Sequence, residues 1–347
     1  MQTLGVNYDT GVVVDGTSTR TAFDDRTVRR ELEIIAGDLH ANAVRVTGDQ
    51  VDRLEVAARH ASAAGLQVWF SPFLYDLGPD ELVERLAACA ERAERLRRAG
   101  ADLVLVLGGE ISLFCSGFVP GEGLHGRLAT MTDPATWTTP DGRAALGAGL
   151  ARASDTLGTV AARARKVFDG PITYASGTWE EIDWEPFDIV SVDAYRDAQN
   201  APGFADLVRS YRRFGKPVAV AEFGCCTYRG AADRGGAGWL VVDERQQTIT
   251  ADLVRDETEP ERYFRDLLDL FEREGVDAAF WFAFAGYELP HRPDDPRRDL
   301  DLASYGLVAV LEQGHGTRYP DMTWEPKRLF DTLATRYAAR AAAEPRS

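Results

Sequence analysis

Strand-like and helix-like segments alternate along the chain. Short apolar runs of strand length recur at residues 4–8, 43–47, 67–72, 103–108, 172–175, 189–194, 218–221 and 278–284. Stretches with the helical spacing of apolar residues lie between most of them. Parallel strands need such crossover helices, because each helix carries the chain back to the start of the next strand. Eight units predict a closed (β/α)8 TIM barrel, and a doubly wound open sheet is the alternative.

The chain is longer than this barrel requires, and the surplus is uneven. A barrel of this kind typically takes about 250 residues, whereas the chain has 347. The extra residues follow the fourth, seventh and eighth predicted strands, at 111–141, 225–258 and 285–323. All three segments are β-to-α loops, which lie at the C-terminal ends of the strands. We therefore expect long loops to build a cleft on that face.

Composition restricts the classes of function. The formal net charge is −16, with no basic cluster of the kind that binds nucleic acid. No apolar run approaches the roughly 20 residues of a membrane span, and we expect no leader before the first predicted strand. The four cysteines do not form the pattern of a secreted scaffold. We expect a cytoplasmic enzyme with a small-molecule partner, no membrane or nucleic-acid partner, no metal and no cofactor.

No linker or low-complexity tract divides the sequence. We therefore expect a single domain over residues 1–347, with a frayed end at 341–347.

Two of the predicted strands lead directly to a glutamate. Residues 103–110 read LVLVLGGE and residues 217–224 read PVAVAEFG, which places Glu110 and Glu222 at strand ends. A wholly apolar strand is covered on both faces, so a carboxylate at its end lies where the strand meets the loops. Two such carboxylates in one cleft suit acid and nucleophile chemistry at an acetal carbon. The alternative is that each carboxylate caps the helix that follows.

Side-chain alternation along the strands adds further candidates. Successive residues point to opposite faces, which would put Glu222 on the same face as Val218 and Val220. By the same alternation, Arg45 shares a face with Ala43, and Asp193 shares a face with Ser191 and Tyr195. We expect the cleft to contain Arg45, Asp193, Tyr195 and Trp281, with Asn7 and Tyr8 on its floor. For each of them, an ion pair or core packing within the barrel is the alternative.

On these residues the sequence resembles clan A of the glycoside hydrolases, a superfamily of (β/α)8 barrels. The resemblance implies that Glu110 is the acid/base residue and Glu222 the nucleophile. It also implies an arginine at Arg45, a tyrosine at Tyr195 that hydrogen-bonds the nucleophile, and a sugar platform at Trp281. One position departs from the superfamily, which usually has Asn directly before the acid/base residue to bind the sugar 2-hydroxyl. This chain has Gly109 there.

The resemblance therefore predicts a retaining glycoside hydrolase that cleaves a small glycoside or a glycosylated metabolite, and bacterial secondary metabolism is the setting that it implies. Arg45 and Tyr195 would keep Glu222 ionised, whereas the apolar surroundings of Glu110 would raise its pKa. Because of Gly109, a lyase, dehydratase or cyclase that acts on a natural product with the same carboxylates is the main alternative. A carbohydrate-binding protein without activity is the second.

Overall fold

The chain closes an eight-stranded parallel barrel. The computed structural model describes residues 1–243 and 245–343, so the end of the predicted frayed segment, 344–347, lies outside the described residues. The first barrel strand pairs with both the second and the eighth, which confirms the predicted barrel and rules out the open sheet. The barrel strands are β1 (Thr3–Asp9), β2 (Ala43–Gly48), β3 (Gln67–Pro72), β4 (Leu103–Gly109), β5 (Ile172–Gly177), β6 (Val190–Asp193), β7 (Val218–Phe223) and β8 (Ala278–Trp281).

Helices connect most of the strands on the outside of the barrel. They are α1 (Asp25–Gly37), α2 (Val51–Ala63), α3 (Pro79–Arg98), α4 (Ile111–Phe114), α5 (Gly123–Thr132), α6 (Pro134–Thr138), α7 (Pro140–Ala164), α8 (Phe204–Ser210), α9 (Thr258–Glu274) and α10 (Arg328–Ala343). Residues 178–189, all of them described, join β5 to β6 without a helix. Among the described residues, no helix has the length and apolar content needed to cross a membrane.

Local sequence signals explain where several helices begin and end. Asp24 caps α1, since its carboxylate accepts hydrogen bonds from two backbone N–H groups of the first turn. Pro79 begins α3, at a position where a missing N–H costs nothing. Gly275 ends α9 with a φ of 77°, a left-handed conformation that glycine adopts without strain. These caps direct each helix back to the start of the next strand.

The core has two layers, and the inner one determines where the functional side chains lie. Large aliphatic side chains fill the space between the strands and the helices. The barrel interior holds a separate inner plug, composed of Ala43, Trp69, Val104, Val106, Ala175, Ala219, Ala221, Ala278 and Phe280. Inward-facing side chains nearer the C-terminal strand ends therefore lie above this plug. We call this region the mouth of the barrel.

A buried carboxylate in α1 ties the outer elements together. Glu31 accepts hydrogen bonds from Tyr8 Oη and Tyr287 Oη, each at 2.5 Å. Its other partners are Arg20 Nη2 and Trp324 Nε1, each at 3.0 Å. Both Arg20 and Glu31 are almost fully buried, so each compensates the charge of the other. This cluster joins β1 and α1 to the long segment that follows β8.

Replacing Glu31 with alanine should destabilise the fold strongly. The change leaves the buried guanidinium of Arg20 without its counter-charge, which costs about 3–5 kcal/mol in comparable cases. Urea unfolding followed by circular dichroism measures the loss. Glu33→Ala is the matched control on the same helix, because Glu33 is exposed and pairs with exposed Arg29. The control should lose less than about 1 kcal/mol, and equal losses in both variants would contradict this role for Glu31.

Candidate active site

Arg45 lies at the centre of a polar cluster in the mouth of the barrel. Its side chain is fully buried on the inward face of β2, above Ala43 of the inner plug. Nη1 lies 2.6 Å from Glu222 Oε1 and 3.6 Å from Asp193 Oδ1. Nε donates a hydrogen bond to Ser71 Oγ at 3.1 Å. The structure thus brings together three of the residues selected from the sequence, from β2, β6 and β7.

The side chain of Glu222 points into this cluster for a reason that the alternation argument did not include. Val218 and Val220 belong to the outer core layer, whereas Ala219 and Ala221 belong to the inner plug. The predicted shared face of Glu222 with the two valines is therefore wrong. The register of β7 shifts against both β6 and β8 next to this position, and such an irregularity re-aims the side chain that follows it. The Glu222 carboxylate also accepts a hydrogen bond from Tyr195 Oη at 3.2 Å.

Glu110 follows β4 in a backbone conformation that is uncommon for a residue with a side chain. Its φ is 44° and its ψ is 41°, which lies in the left-handed region. Holding a non-glycine residue there costs on the order of 1–3 kcal/mol, and such residues cluster at functional sites. The backbone N–H of Glu110 donates to the carbonyl oxygen of Ala175 at 2.8 Å. The strain is thus offset in part by attachment to β5.

Gly109 is matched to the position of Arg45. A Cβ atom at residue 109 would lie 3.1 Å from Arg45 Nη2 and 3.5 Å from the Ala175 Cβ. A larger side chain, such as the Asn usual in the resembled superfamily, would press on the buried guanidinium. The lack of a side chain at Gly109 therefore leaves the buried guanidinium undisturbed.

The mouth of the barrel holds more carboxyl groups than cations, and this imbalance affects their pKa values. Burial raises the pKa of Glu110 well above its usual range, and the negative charges of Asp193 and Glu222 raise it further. Burial likewise raises the pKa of Asp193, with the charge of Glu222 as the next cause. Both directions favour the protonated forms, and the direction for Glu110 agrees with the sequence-based expectation. Among the described residues, no group of three or more His, Cys, Asp or Glu side chains is arranged to hold a metal ion.

Asn7 lies in the barrel below this cluster. It is 1% exposed, and its Nδ2 donates to the carbonyl oxygen of Ala221 at 2.9 Å. Its Oδ1 has no hydrogen-bond partner among the described residues, and the same holds for Arg45 Nη2, Ser191 Oγ and Asp193 Oδ1. Buried polar atoms are normally paired with protein or with water. Within the described chain, these four atoms are therefore unpaired polar atoms that are inaccessible to solvent in this structure.

Two sequence-based assignments are corrected by the structure. Tyr8 points outward from β1 to Glu31, because alternation along β1 turns Asn7 inward and its neighbour outward. Trp281 is fully buried in the outer core layer, with its ring centroid 5.3 Å from that of Phe223 and 5.9 Å from that of Phe264. Its neighbour Phe280 is the inward residue of β8. Neither Tyr8 nor Trp281 can therefore present a surface to a ligand in the mouth.

An aromatic row lies next to Glu222 instead. Phe282, one residue beyond β8, is half-buried and meets Tyr305 edge-to-face at 5.8 Å between ring centroids. Tyr305 in turn meets Tyr195 edge-to-face at 5.9 Å, and Tyr195 donates to Glu222. Counting alternation from Phe280 would have selected Phe282 in place of Trp281.

A second aromatic residue, which the sequence analysis missed, contacts Ser112, two residues after Glu110. Half-buried Trp179 places its ring over the end of β5, where a Cβ on Gly177 would come within 2.5 Å of a ring carbon. Gly177 follows the inward residue Ala175 by two positions, so this ring lies on the inward side. Its Nε1 donates to Ser112 Oγ at 3.1 Å, two residues after Glu110. Trp179 could have been selected from the sequence, because it is a tryptophan immediately beyond a barrel strand.

Comparison with known proteins supports the fold assignment. No protein-family model matches the chain, and no curated protein sequence matches it. A GH113 β-1,4-mannanase structure is 14% identical, with a TM-score of 0.62, covering 98% of this chain and 100% of that one. The GH113 β-mannanase AaManA from Alicyclobacillus acidocaldarius is 16% identical, with a TM-score of 0.58 and coverage of 98% of each chain.

A β-glucuronidase from Ruminococcus gnavus is 13% identical, with a TM-score of 0.54, covering 97% of this chain and 49% of that one. At these identities the similarity shows a shared fold. The resemblance to clan A barrels found in the sequence is confirmed at that level.

The raised pKa of Glu110 predicts how a substitution changes stability with pH. A carboxyl group with a raised pKa in the folded protein stabilises the fold below its unfolded pKa, and that contribution is lost as pH rises through the folded pKa. Glu110→Gln removes the ionisable group, so the variant should be more stable than the wild type at pH 8. The gain is about 1.4 kcal/mol for each unit by which the pKa is raised.

Urea unfolding at pH 4 and pH 8 measures this difference, and the gain should vanish at the lower pH. Glu181→Gln is the control, because Glu181 is an exposed glutamate in the segment after β5. A pH-independent effect of Glu110→Gln would show that burial of its charge is not the cause.

Proposed function

We propose that the protein is a glycoside hydrolase that cleaves a small glycoside or a glycosylated metabolite with retention of configuration. The observation that carries this proposal is a pair of glutamates in unequal surroundings. Glu222 is held by a guanidinium and a phenol, while burial and neighbouring negative charges raise the pKa of Glu110. Retaining glycosidases need such a difference between an ionised nucleophile and a protonated acid. The shared fold of mannanases and a glucuronidase adds support.

In the first step, Glu110 donates its proton to the glycosidic oxygen as the bond to the anomeric carbon breaks. The Glu222 carboxylate attacks that carbon from the other side and forms a glycosyl-enzyme intermediate. Glu110, now ionised, then takes a proton from water, which attacks the same carbon and releases Glu222. Arg45 and Tyr195 keep the Glu222 carboxylate oriented through both steps.

In this proposal, side chains of the mouth move when substrate binds, and its hydroxyl groups then reach the buried polar atoms that have no hydrogen-bond partner among the described residues. Asp193 Oδ1 and Asn7 Oδ1 can accept hydrogen bonds, whereas Arg45 Nη2 can donate one. All three belong to residues on the inward side of β1, β2 and β6. In this proposal they replace the contact that the Asn usual before the acid/base residue makes with the 2-hydroxyl.

The aromatic residues give the site a direction. An acid protonates the leaving group, so the leaving group lies on the side of Glu110, where Trp179 is attached through Ser112. The sugar that forms the covalent intermediate lies on the side of Glu222, next to Phe282 and Tyr305. Indole and phenyl faces bind the apolar faces of rings. Trp179 is therefore the proposed platform for the leaving group, and Phe282 for the sugar.

Nitrophenyl glycosides test the reaction and the roles of both glutamates. Glu222→Ala should abolish turnover for every leaving group, because it removes the attacking atom. Glu110→Ala should retain much of the first step with a nitrophenyl leaving group, which needs little protonation. Azide should then accelerate turnover of this variant by replacing the assisted water. NMR of the first product should show the anomer of the substrate.

Inversion at the anomeric carbon would overturn the retaining mechanism. Equal losses in both variants for good and poor leaving groups, with no azide rescue, would overturn the assigned roles. If no nitrophenyl glycoside is hydrolysed and a metabolite that is not a glycoside binds, the lyase alternative is favoured. The presence of Gly109 in place of the usual Asn supports that alternative.

Because the leaving group and the sugar are proposed to contact different aromatic residues, Trp179→Ala and Phe282→Ala should respond differently to the type of substrate. Trp179→Ala should raise KM about tenfold for aryl glycosides, consistent with loss of one stacked ring. It should have little effect on glycosyl fluorides, whose leaving group is too small to reach the indole. Phe282→Ala should weaken both substrate types, because both share the sugar. Trp137→Ala is the control, since Trp137 is 43% exposed on α6, and the reverse pattern would invert the proposed direction.

A further inference from the structure

A second carboxylate, half-buried on the segment after β5, is hydrogen-bonded to the residues that follow the acid/base candidate. Glu180 accepts hydrogen bonds from Tyr174 Oη at 2.8 Å, from the Gly177 N–H at 3.0 Å and from the Ser112 N–H at 3.1 Å. No lysine or arginine of the described chain forms an ion pair with it. Burial raises the pKa of Glu180, and the three donors oppose that rise because they stabilise the carboxylate form.

This carboxylate reaches the backbone on which Glu110 depends. The Ser112 N–H donates directly to Glu180, and the Ile111 N–H donates to Tyr174 Oη at 2.7 Å. Tyr174 Oη then donates its own proton to Glu180. Because the Glu110 N–H is bound to the carbonyl oxygen of Ala175, three successive N–H groups are attached to β5 or the segment after it. The left-handed conformation of Glu110 is therefore held from one side.

We propose that Glu180 is a positioning residue, which holds the Glu110 carboxyl group in the mouth through Ser112 and Tyr174 and supplies a negative charge beside it. This inference takes one thing from the proposed function, namely that Glu110 is the acid/base residue. Glu180 itself touches the backbone and Tyr174, and acts on the reaction through Glu110.

The charge of Glu180 acts in a defined direction. Burial is the largest cause of the raised pKa of Glu110, followed by the charges of Asp193, Glu222 and Glu180, while Arg45 opposes the rise. The phenols of Tyr174 and Tyr195 also face Glu110, and burial raises the pKa of each, which keeps them neutral. Removing the charge of Glu180 should therefore lower the pKa of Glu110. An acid with a lower pKa loses its proton at a lower pH, so the alkaline limit of activity should move down.

The test compares Glu180→Gln, Tyr174→Phe and the matched control Glu181→Gln. Glu180→Gln removes the ionisable group at nearly constant size, and should move the alkaline limb of the kcat/KM profile to lower pH. Tyr174→Phe keeps the charge but removes the bridge to Ile111, so kcat should fall roughly 10- to 100-fold without an equal shift of the limb. Exposed Glu181 lies next to Glu180 in sequence, and its variant should behave as the wild type.

A readout independent of turnover separates this inference from the proposed function. Titration of 13C-labelled glutamate carboxyls by NMR, with Glu110→Gln to assign the signal, follows the protonation of Glu110 directly. If no glycoside is hydrolysed but the midpoint of Glu110 falls in Glu180→Gln, the proposed function fails and the effect of the charge stands. An unchanged midpoint in a folded Glu180→Gln variant would overturn the role of the charge.

Thermal unfolding establishes whether each variant folds. If Glu180→Gln does not fold, Tyr174→Phe decides the positioning role, because an unchanged kcat in that folded variant would overturn it.

Discussion

The buried guanidinium of Arg45 is the constraint around which the mouth of the barrel is arranged. A buried charge is expensive unless counter-charges and hydrogen bonds surround it, and here the Glu222 carboxylate pairs with the guanidinium and Ser71 accepts a hydrogen bond from it. Asp193 Oδ1 lies 3.6 Å from the same nitrogen that contacts Glu222. Gly109 leaves the guanidinium undisturbed, since a Cβ there would come within 3.1 Å of Nη2. One cation thus accounts for the clustering of polar side chains from β2, β3, β6 and β7.

The barrel could be predicted because its signal is distributed along the chain. Buried strands produce apolar runs whatever their exact contacts, and the structure places the strand over residues 67–72 at both predicted ends. Prediction was weaker where polar residues continue a strand. Ser176 and Gly177 extend β5 past its predicted end at residue 175, and that extension positions Trp179 and Glu180. Trp179 could have been selected as an aromatic residue immediately beyond a strand, whereas Glu180 carries no apolar or alternating signal.

The candidate site was predicted in part, and its errors have one physical origin. Alternation assigns faces only after one residue is fixed, and it assumes an unbroken register. Trp281 was placed in the cleft one residue out of phase, and Tyr8 was placed there together with its neighbour Asn7, although both Trp281 and Tyr8 point to the outer core layer. The irregularity in β7 produced the opposite outcome for Glu222, which lies in the mouth although its assigned face was wrong. Long-range pairing sets these registers, and sequence spacing within one strand does not encode it.

The two glutamates are supported by different residues. Arg45 on β2 and Tyr195 beyond β6 hold the side chain of Glu222, whereas β5 and the segment after it hold the backbone of Glu110 to Ser112. The first support acts through charge on a side chain, and the second acts through hydrogen bonds on a strained backbone. The two supports meet at Arg45, because its guanidinium also lies against Gly109, which directly precedes Glu110. Since the charges of the two glutamates also interact, neither the position nor the protonation of one is independent of the other.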